Sequence, residues 1–240
     1  MHIRIINPNT TASFTKRCVA AASEVAAPGT QISGGTASFG VESVECHTDE
    51  ALATAGVIDQ IRQGEAAGVH GYVIACFGDT GLDAAREVAR GPVVGMSEAA
   101  LYAAALIAPV FSIITLPART RIFAERVLWH AGLERRCPRV RTIDVPVQDC
   151  EESPEALLEA FLIESRIAVA QDHAEAIILG CAGLQPLVGP VSAALGIPVI
   201  EGVSAAVKQV EGLLSLGLAT SKRGRWATPP RTAPSFKPGV

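Results

Sequence analysis

Cys76 and Cys181 stand at matching points of two similar passages. Gly71-Tyr-Val-Ile-Ala-Cys76-Phe-Gly-Asp-Thr-Gly-Leu82, followed by Gly91-Pro-Val-Val-Gly95, is answered by Glu175-Ala-Ile-Ile-Leu-Gly-Cys181-Ala-Gly-Leu184 and Gly196-Ile-Pro-Val-Ile200. The echo extends upstream, where Ile5-Ile-Asn-Pro-Asn-Thr10 is matched by Ile113-Ile-Thr-Leu-Pro-Ala-Arg-Thr120. Two similar half-molecules, each ending a buried strand on a thiol, predict one site between lobes with a thiol on either side. Such a pair suits the removal of a proton from one face of a carbon acid and its return to the other. One thiolate is the base, the opposed thiol is the acid, and backbone N–H groups hold the enolate between them.

The elements that must position these thiols follow from hydrophobic patterning. Short β-branched runs alternate with alanine-rich amphipathic stretches, predicting strands near 2–7, 30–34, 71–76, 92–95, 109–115, 139–146, 175–180 and 198–200, with helices between. Alternation of this kind predicts an α/β fold of two pseudo-symmetric lobes, each a parallel sheet flanked by helices and joined by right-handed crossovers. Ligands bind such sheets outside the carboxyl ends of the strands, where both cysteines fall. Each is followed by a glycine-bearing turn leading into a helix, whose exposed first-turn amides would stabilise a thiolate. Cys18, placed mid-helix, and Cys137 and Cys150, in or near loops, lack that setting.

A buried cysteine is ordinarily a small hydrophobe. Duplication at matching positions, each before a glycine-bearing turn, favours chemistry instead. Thiols separated by a ligand stand too far apart for a disulfide, which needs a Cα separation of about 4.4–6.8 Å. No local His or Cys spacing supports zinc.

Composition sets the class. The chain has 240 residues, 49% of them apolar but only 5% aromatic, so its hydrophobic content lies in Ala, Val, Ile and Leu, as in helices packed on parallel strands. Six cysteines without short spacings, and no leader-like N-terminus or apolar run of about 18 residues, predict a cytoplasmic protein with free thiols and no membrane partner. The net charge is −4, and the last 22 residues hold five cations and no acid, so the body is more acidic still and a poor nucleic-acid surface. Residues 219–240, rich in proline and without apolar period, read as a basic tail lying over the surface or disordered.

Taken together, Ile-Asn-Pro-Asn-Thr at 6–10, Val-Ile-Ala-Cys-Phe-Gly-Asp-Thr-Gly-Leu at 73–82, Phe-Ser-Ile-Ile-Thr at 111–115 and Leu-Gly-Cys-Ala-Gly at 179–183 resemble the hydantoin racemases, the hydantoin and allantoin branch of the aspartate/glutamate racemase superfamily. The resemblance covers about residues 2–218. It implies cofactor-independent racemisation of 5-monosubstituted hydantoins, or alternatively allantoin, with no metal and with Cys76 and Cys181 as the acid/base pair. It further implies that Asn7 and Thr115 bind the polar ring edge, that Phe77, Gly78, Ala182 and Gly183 offer backbone amides to the ring carbonyls, and that Ser43 and Val44 in Gly40–Glu45 flank the C5 substituent. Homo-oligomerisation is also implied. So is a chain path in which residues 1–96 and about 203–218 form one lobe and 97–202 the other. Leu116 and Leu184 stand where the family often has threonine and methionine, and Cys46 and His47 replace a glycine and a small residue. A same-fold lyase, a maleate-type cis–trans isomerase and a non-catalytic binding protein are the competing readings. Decarboxylase relatives need only the second cysteine, so Cys76 counts against them.

Other residues carry less weight. His47 reads as a solvated helix start and Asp79 as a cap for the helix that follows it. Glu98 and Glu201, after matching strands, either line the cleft or cap helices. Lys208 reads as a surface residue.

Overall fold

The computed structural model describes residues 1–145 and 153–230. Cys150, Pro146 at the end of the sixth expected strand, and the last ten residues of the tail lie outside them. Two four-stranded parallel sheets are present. The first has the order β2-β1-β3-β4, with β1 (His2–Asn7), β2 (Gln31–Thr36), β3 (Gly71–Ile74) and β4 (Val93–Gly95). The second repeats it as β6-β5-β7-β8, with β5 (Phe111–Thr115), β6 (Val140–Thr142), β7 (Ala176–Gly180) and β8 (Val199–Glu201). All eight strands lie where β-branched runs predict them.

Helices follow the strands in turn: α1 (Ala12–Val25), α2 (His47–Ala66), α3 (Leu82–Val88), α4 (Met96–Ile107), α5 (Arg121–Ala131), α6 (Pro154–Asp172), α7 (Val188–Leu195) and α8 (Gly202–Ser215). Every residue of β3, β5 and β7 is buried, as expected of parallel strands covered on both faces. Strand alternation sorts the side chains into three cores. Ile5, Val73, Ile177 and Leu179 join Val203 and Val207 of α8 in one cluster shared by both sheets. Ile6 and Ile74 pack outward under α2 and α3, and Ile113 and Ile178 under α4 and α5.

The register makes the halves superimposable in sequence. Ile6 pairs with Ile74 and Ile114 with Leu179, so Asn7 corresponds to Thr115, Cys76 to Cys181 and Gly78 to Gly183. Similarly, Gly95 corresponds to Glu201, since they pair with Ile74 and Leu179. The two halves press together where a β-carbon on Gly202 would lie 2.4 Å from the Met96 carbonyl oxygen, a contact only glycine permits.

Part of the tail is ordered by specific contacts. Lys222 Nζ donates to the Glu87 carbonyl at 3.0 Å and to that of Arg86, satisfying last-turn carbonyls of α3. Trp226 Nε1 donates to Asp83 Oδ1 at 3.0 Å, and the Arg86 guanidinium lies 4.8 Å from the centroid of the Trp226 rings. No helix of the described residues is long and apolar enough to cross a membrane.

Candidate active site

Both cysteines open into one cleft beyond the carboxyl ends of β1, β3, β5 and β7. Its lining includes Asn7, Asn9, Phe14, Ser43, Val44, Cys76, Phe77, Thr115, Leu116, Thr120, Cys181 and Ala182. Among the described residues its lining includes no Asp, Glu, Lys, Arg or His. A substrate bearing a carboxylate would find no counter-ion there, whereas neutral carbonyls and amides need only hydrogen bonds.

Cys76 stands where the sequence placed it, after β3 and before a glycine-bearing turn. That turn takes five residues, so α3 begins only at Leu82. Burial therefore dominates. It drives the Cys76 thiol up to about 12, against the pull of the Thr80 hydroxyl, which donates to Sγ at 3.4 Å, while Cys181, Asp79 and Glu50 add to the rise. Burial in this position thus opposes ionisation of Cys76. Cys181 is buried and stands at the N-terminal cap position of a short 3₁₀ helix over Ala182–Leu187, without a capping bond from its side chain.

The expected ligands divide into those that face the cleft and those already committed. Asn7 lines the cleft but is wholly buried, and its side-chain nitrogen donates to Asn9 Oδ1, the Thr11 carbonyl and Thr15 Oγ1, while its oxygen accepts from Asn9 N. It shapes the turn between β1 and α1. Thr115 donates its hydroxyl to the Gly180 carbonyl at 2.9 Å and retains lone pairs. The Gly78 amide, expected to serve a ring carbonyl, donates instead to Ser97 Oγ at 2.8 Å, and neither Gly78 nor Gly183 lines the cleft. Ser43 and Val44 line it, with Ser43 Oγ donating to Glu45.

Sequence reasoning passed over Asn9 and Phe14. Asn9 lines the cleft, and its Oδ1 accepts from Asn7 Nδ2 and Thr11 N. The Asn-Pro-Asn spacing was its signal, since the first asparagine of such a turn tends to be consumed by the backbone. Phe14 is one turn into α1 from the strand that carries Asn7.

The remaining carboxylates are caps. Asp79, with φ at 52°, accepts from Ser97 N at 2.9 Å and Glu98 N at 3.0 Å, so it caps α4 rather than the following α3. Burial, with Glu98 beside it, raises its carboxyl to about 7. Glu201 accepts from Val203 N at 2.6 Å and Ser204 N at 2.9 Å and caps α8; burial raises it too. Glu98 pairs with Arg86 and accepts from Gly95 N. His47 is the exposed first residue of α2, and Lys208 pairs with Glu211 at 2.9 Å. Among the described residues no three His, Cys, Asp or Glu side chains gather as a metal site.

The profile of the Asp/Glu/Hydantoin racemase family matches residues 3–210. The chain is 47% identical to a hydantoin racemase of Rhizobium meliloti over 95% of each chain, and 43% identical to one of Pseudomonas sp. (strain NS671) over 92% of this chain and 89% of that one. In three dimensions it superimposes on an allantoin racemase from Klebsiella pneumoniae with a TM-score of 0.94 and 46% identity, covering 97% of this chain and 95% of that one. Matches of this extent take in both sheets and both cysteine turns, and the chain belongs to the Asp/Glu/hydantoin racemase family.

Proposed function

We propose that this racemase inverts C5 of a 5-monosubstituted hydantoin by a relay between two thiols, without metal or organic cofactor. The observation that carries the reading is that Cys76 and Cys181 line one cleft whose lining, among the described residues, includes no Asp, Glu, Lys, Arg or His. A hydantoin is a neutral ring with two carbonyls flanking its acidic nitrogen, and its C5 proton is acidified by the adjacent carbonyl. One thiolate takes that proton and becomes a thiol; the electron pair moves onto the carbonyl oxygen. The opposed thiol then protonates the other face of C5 and is left as the thiolate. The enzyme emerges with its two protonation states exchanged, ready for the mirror-image substrate.

The amides of Phe77 and Ala182, the Asn9 side chain and Thr115 hold the ring carbonyls and N–H groups. Asn7 supports Asn9, Gly78 and Gly183 allow the turns to approach closely, and Ser43 and Val44 flank the substituent. Allantoin, whose C5 substituent is a ureido group, is the second reading, favoured by the allantoin racemase similarity at 46% identity against 47% for the hydantoin racemase. We read residues 1–96 with about 203–218 as one lobe and 97–202 as the other, consistent with the burial of Val207 and Val210 of α8 beside Ile3 and Val73 of the first sheet. We also read the protein as a cytoplasmic homo-oligomer, in keeping with the free thiols of Cys18, Cys46, Cys76 and Cys137 and with exposed Leu106, Ile107 and Trp129.

Polarimetry tests the reaction. Enantiopure hydantoins with benzyl, methylthioethyl and isopropyl substituents, and enantiopure allantoin, are followed with purified protein in chelated, cofactor-free buffer. Enzyme-dependent loss of rotation is expected, and the fastest substrate decides the branch. No decay above the spontaneous rate for any of them would move the assignment to a lyase, an isomerase or a binding protein of the same fold.

A further inference from the structure

The helix that follows the first strand of each half carries the same short sequence. It reads Phe14-Thr-Lys-Arg17 in α1 and Phe123-Ala-Glu-Arg126 in α5. In both, the guanidinium lies over the ring, 5.2 Å from the Phe14 centroid and 5.3 Å from that of Phe123. Each ring crosses to the opposite half and meets the glycine two residues beyond that half's cysteine. A β-carbon on Gly78 would lie 3.0 Å from Phe123 Cβ, and one on Gly183 would lie 3.1 Å from Phe14 Cε2. Both turns are therefore in contact with a ring and have no room for a side chain at that point.

The Phe123 side is reinforced. Arg126 donates from Nη1 to Glu50 Oε2 of α2 at 2.9 Å, and from Nη2 to the other carboxylate oxygen and to the Gly78 carbonyl at 3.2 Å. On its other side the Gly78 amide donates to Ser97 Oγ. The peptide two residues from Cys76 is thus gripped between α4 and a helix of the second sheet. A bidentate arginine pair fixes direction as well as distance.

We propose that the two Phe-x-x-Arg sequences are crossed positioning clamps: Phe123 with Arg126 sets the place of Cys76, and Phe14 with Arg17 sets the place of Cys181. Each thiol is thereby held by the helix of the half that does not carry it, so the spacing across the cleft is fixed by α1 and α5. The proposal rests on the two-thiol reading. Proton transfer demands reacting atoms about 3–3.5 Å apart, and a displacement of about 1 Å costs up to roughly 100-fold in rate.

Rate alone cannot test this, because enantiomers have equal energy and kcat/KM must be equal in both directions for any variant. The primary isotope effect with C5-deuterated substrate can, since it reports how far abstraction by one particular thiol limits the rate. In Phe123→Leu, impaired transfer at Cys76 should raise the effect for the enantiomer deprotonated by Cys76 and lower it for the other. Phe14→Leu should show the reverse assignment, and Arg126→Met should follow Phe123→Leu. Shifts of the same sense with both enantiomers, the same assignment for both phenylalanine variants, or no shift would overturn the clamps. Should a leucine variant not fold by circular dichroism, Arg126→Met alone still predicts opposite shifts for the two enantiomers. Cys76→Ser and Cys181→Ser separate the two claims: full turnover in either defeats the two-thiol reading itself, whereas loss in both with an unmirrored isotope pattern defeats only the clamps.

Discussion

Beyond Cys76 the chain runs through five turn residues before α3 begins, whereas Cys181 directly precedes the 3₁₀ helix that follows it. The longer turn carries an extra tie. At the end of β8, Glu201 caps α8 with its own carboxylate; at the equivalent end of β4 stands Gly95, and the carboxylate comes from Asp79 in the Cys76 turn. A β-carbon on residue 95 would fall 2.2 Å from Asp79 Cγ, so the glycine vacates the space that the borrowed cap fills. One half satisfies the exposed amides of its helix locally. The other spends the same requirement on fastening a reactive loop. Duplicated architecture therefore conceals an asymmetry: Cys76 is anchored to α4 through Asp79 and to α5 through Arg126, whereas the carboxylate that caps α8 comes from Glu201 beside it.

The sharpest way to break the comparison is at the thiols. Cys76→Ser and Cys181→Ser should each lower racemisation by about 10²–10⁴-fold, the range general acid–base catalysis supplies, despite their different anchoring. Polarimetric kcat/KM for the two variants checks this, and a large effect at one cysteine alone would end the symmetric assignment.

The caps come next. Asp79→Ala and Glu201→Ala should each cost about 0.5–2 kcal/mol of stability through lost capping, measured by urea unfolding. Only Asp79→Ala should also depress kcat/KM per folded molecule, on the order of 10-fold, since only its loop bears a thiol. Equal kinetic effects would show that the tie is structural alone.

The same carboxylate gives a pH signature. Because the folded state raises Asp79 to about 7, it keeps a proton between the ordinary carboxylate range and that value which the unfolded chain has already released. This contribution to stability is full below the unfolded pKa and is lost as pH rises through about 7. Melting temperatures of wild type and Asp79→Asn, compared from pH 4 to 9, should therefore diverge across that interval, with wild type falling relative to the variant. The smallest effect is expected at the tail: Trp226→Ala should cost about 0.5–1 kcal/mol, the lower end of the range for a cation–π contact, here with the half-buried Arg86.

Much of this was legible in the sequence because repetition at strand ends is a local pattern. The eight strands, the cleft and both thiols follow from β-branched runs and paired Cys-x-Gly turns. What escaped depends on contacts between distant segments. Nothing near Asp79 says that it caps a helix beginning at Met96, because the instruction is the absence of a side chain at Gly95. Asn7 has the chemistry of a ligand, but Asn9, Thr11 and Thr15 absorb its amide once the turn closes. The Phe-x-x-Arg repeat is visible in the sequence, yet it acquires meaning only when α1 and α5 are seen to reach across the cleft. Residues 220–226 lack any apolar period, and their order comes from single bonds to α3 and to the Gly91 carbonyl before β4.

A cleft whose lining, among the described residues, includes no Asp, Glu, Lys, Arg or His also bears on how the enzyme meets its surroundings. Ions in solution screen attraction between charges over a Debye length of about 8 Å at physiological ionic strength, and a ring without net charge offers them little to screen even when one thiol of the cleft is ionised. Substrate capture should then be governed by fit and desolvation, leaving KM nearly level from dilute buffer to strong brine, where an enzyme that grips a carboxylate would lose its hold.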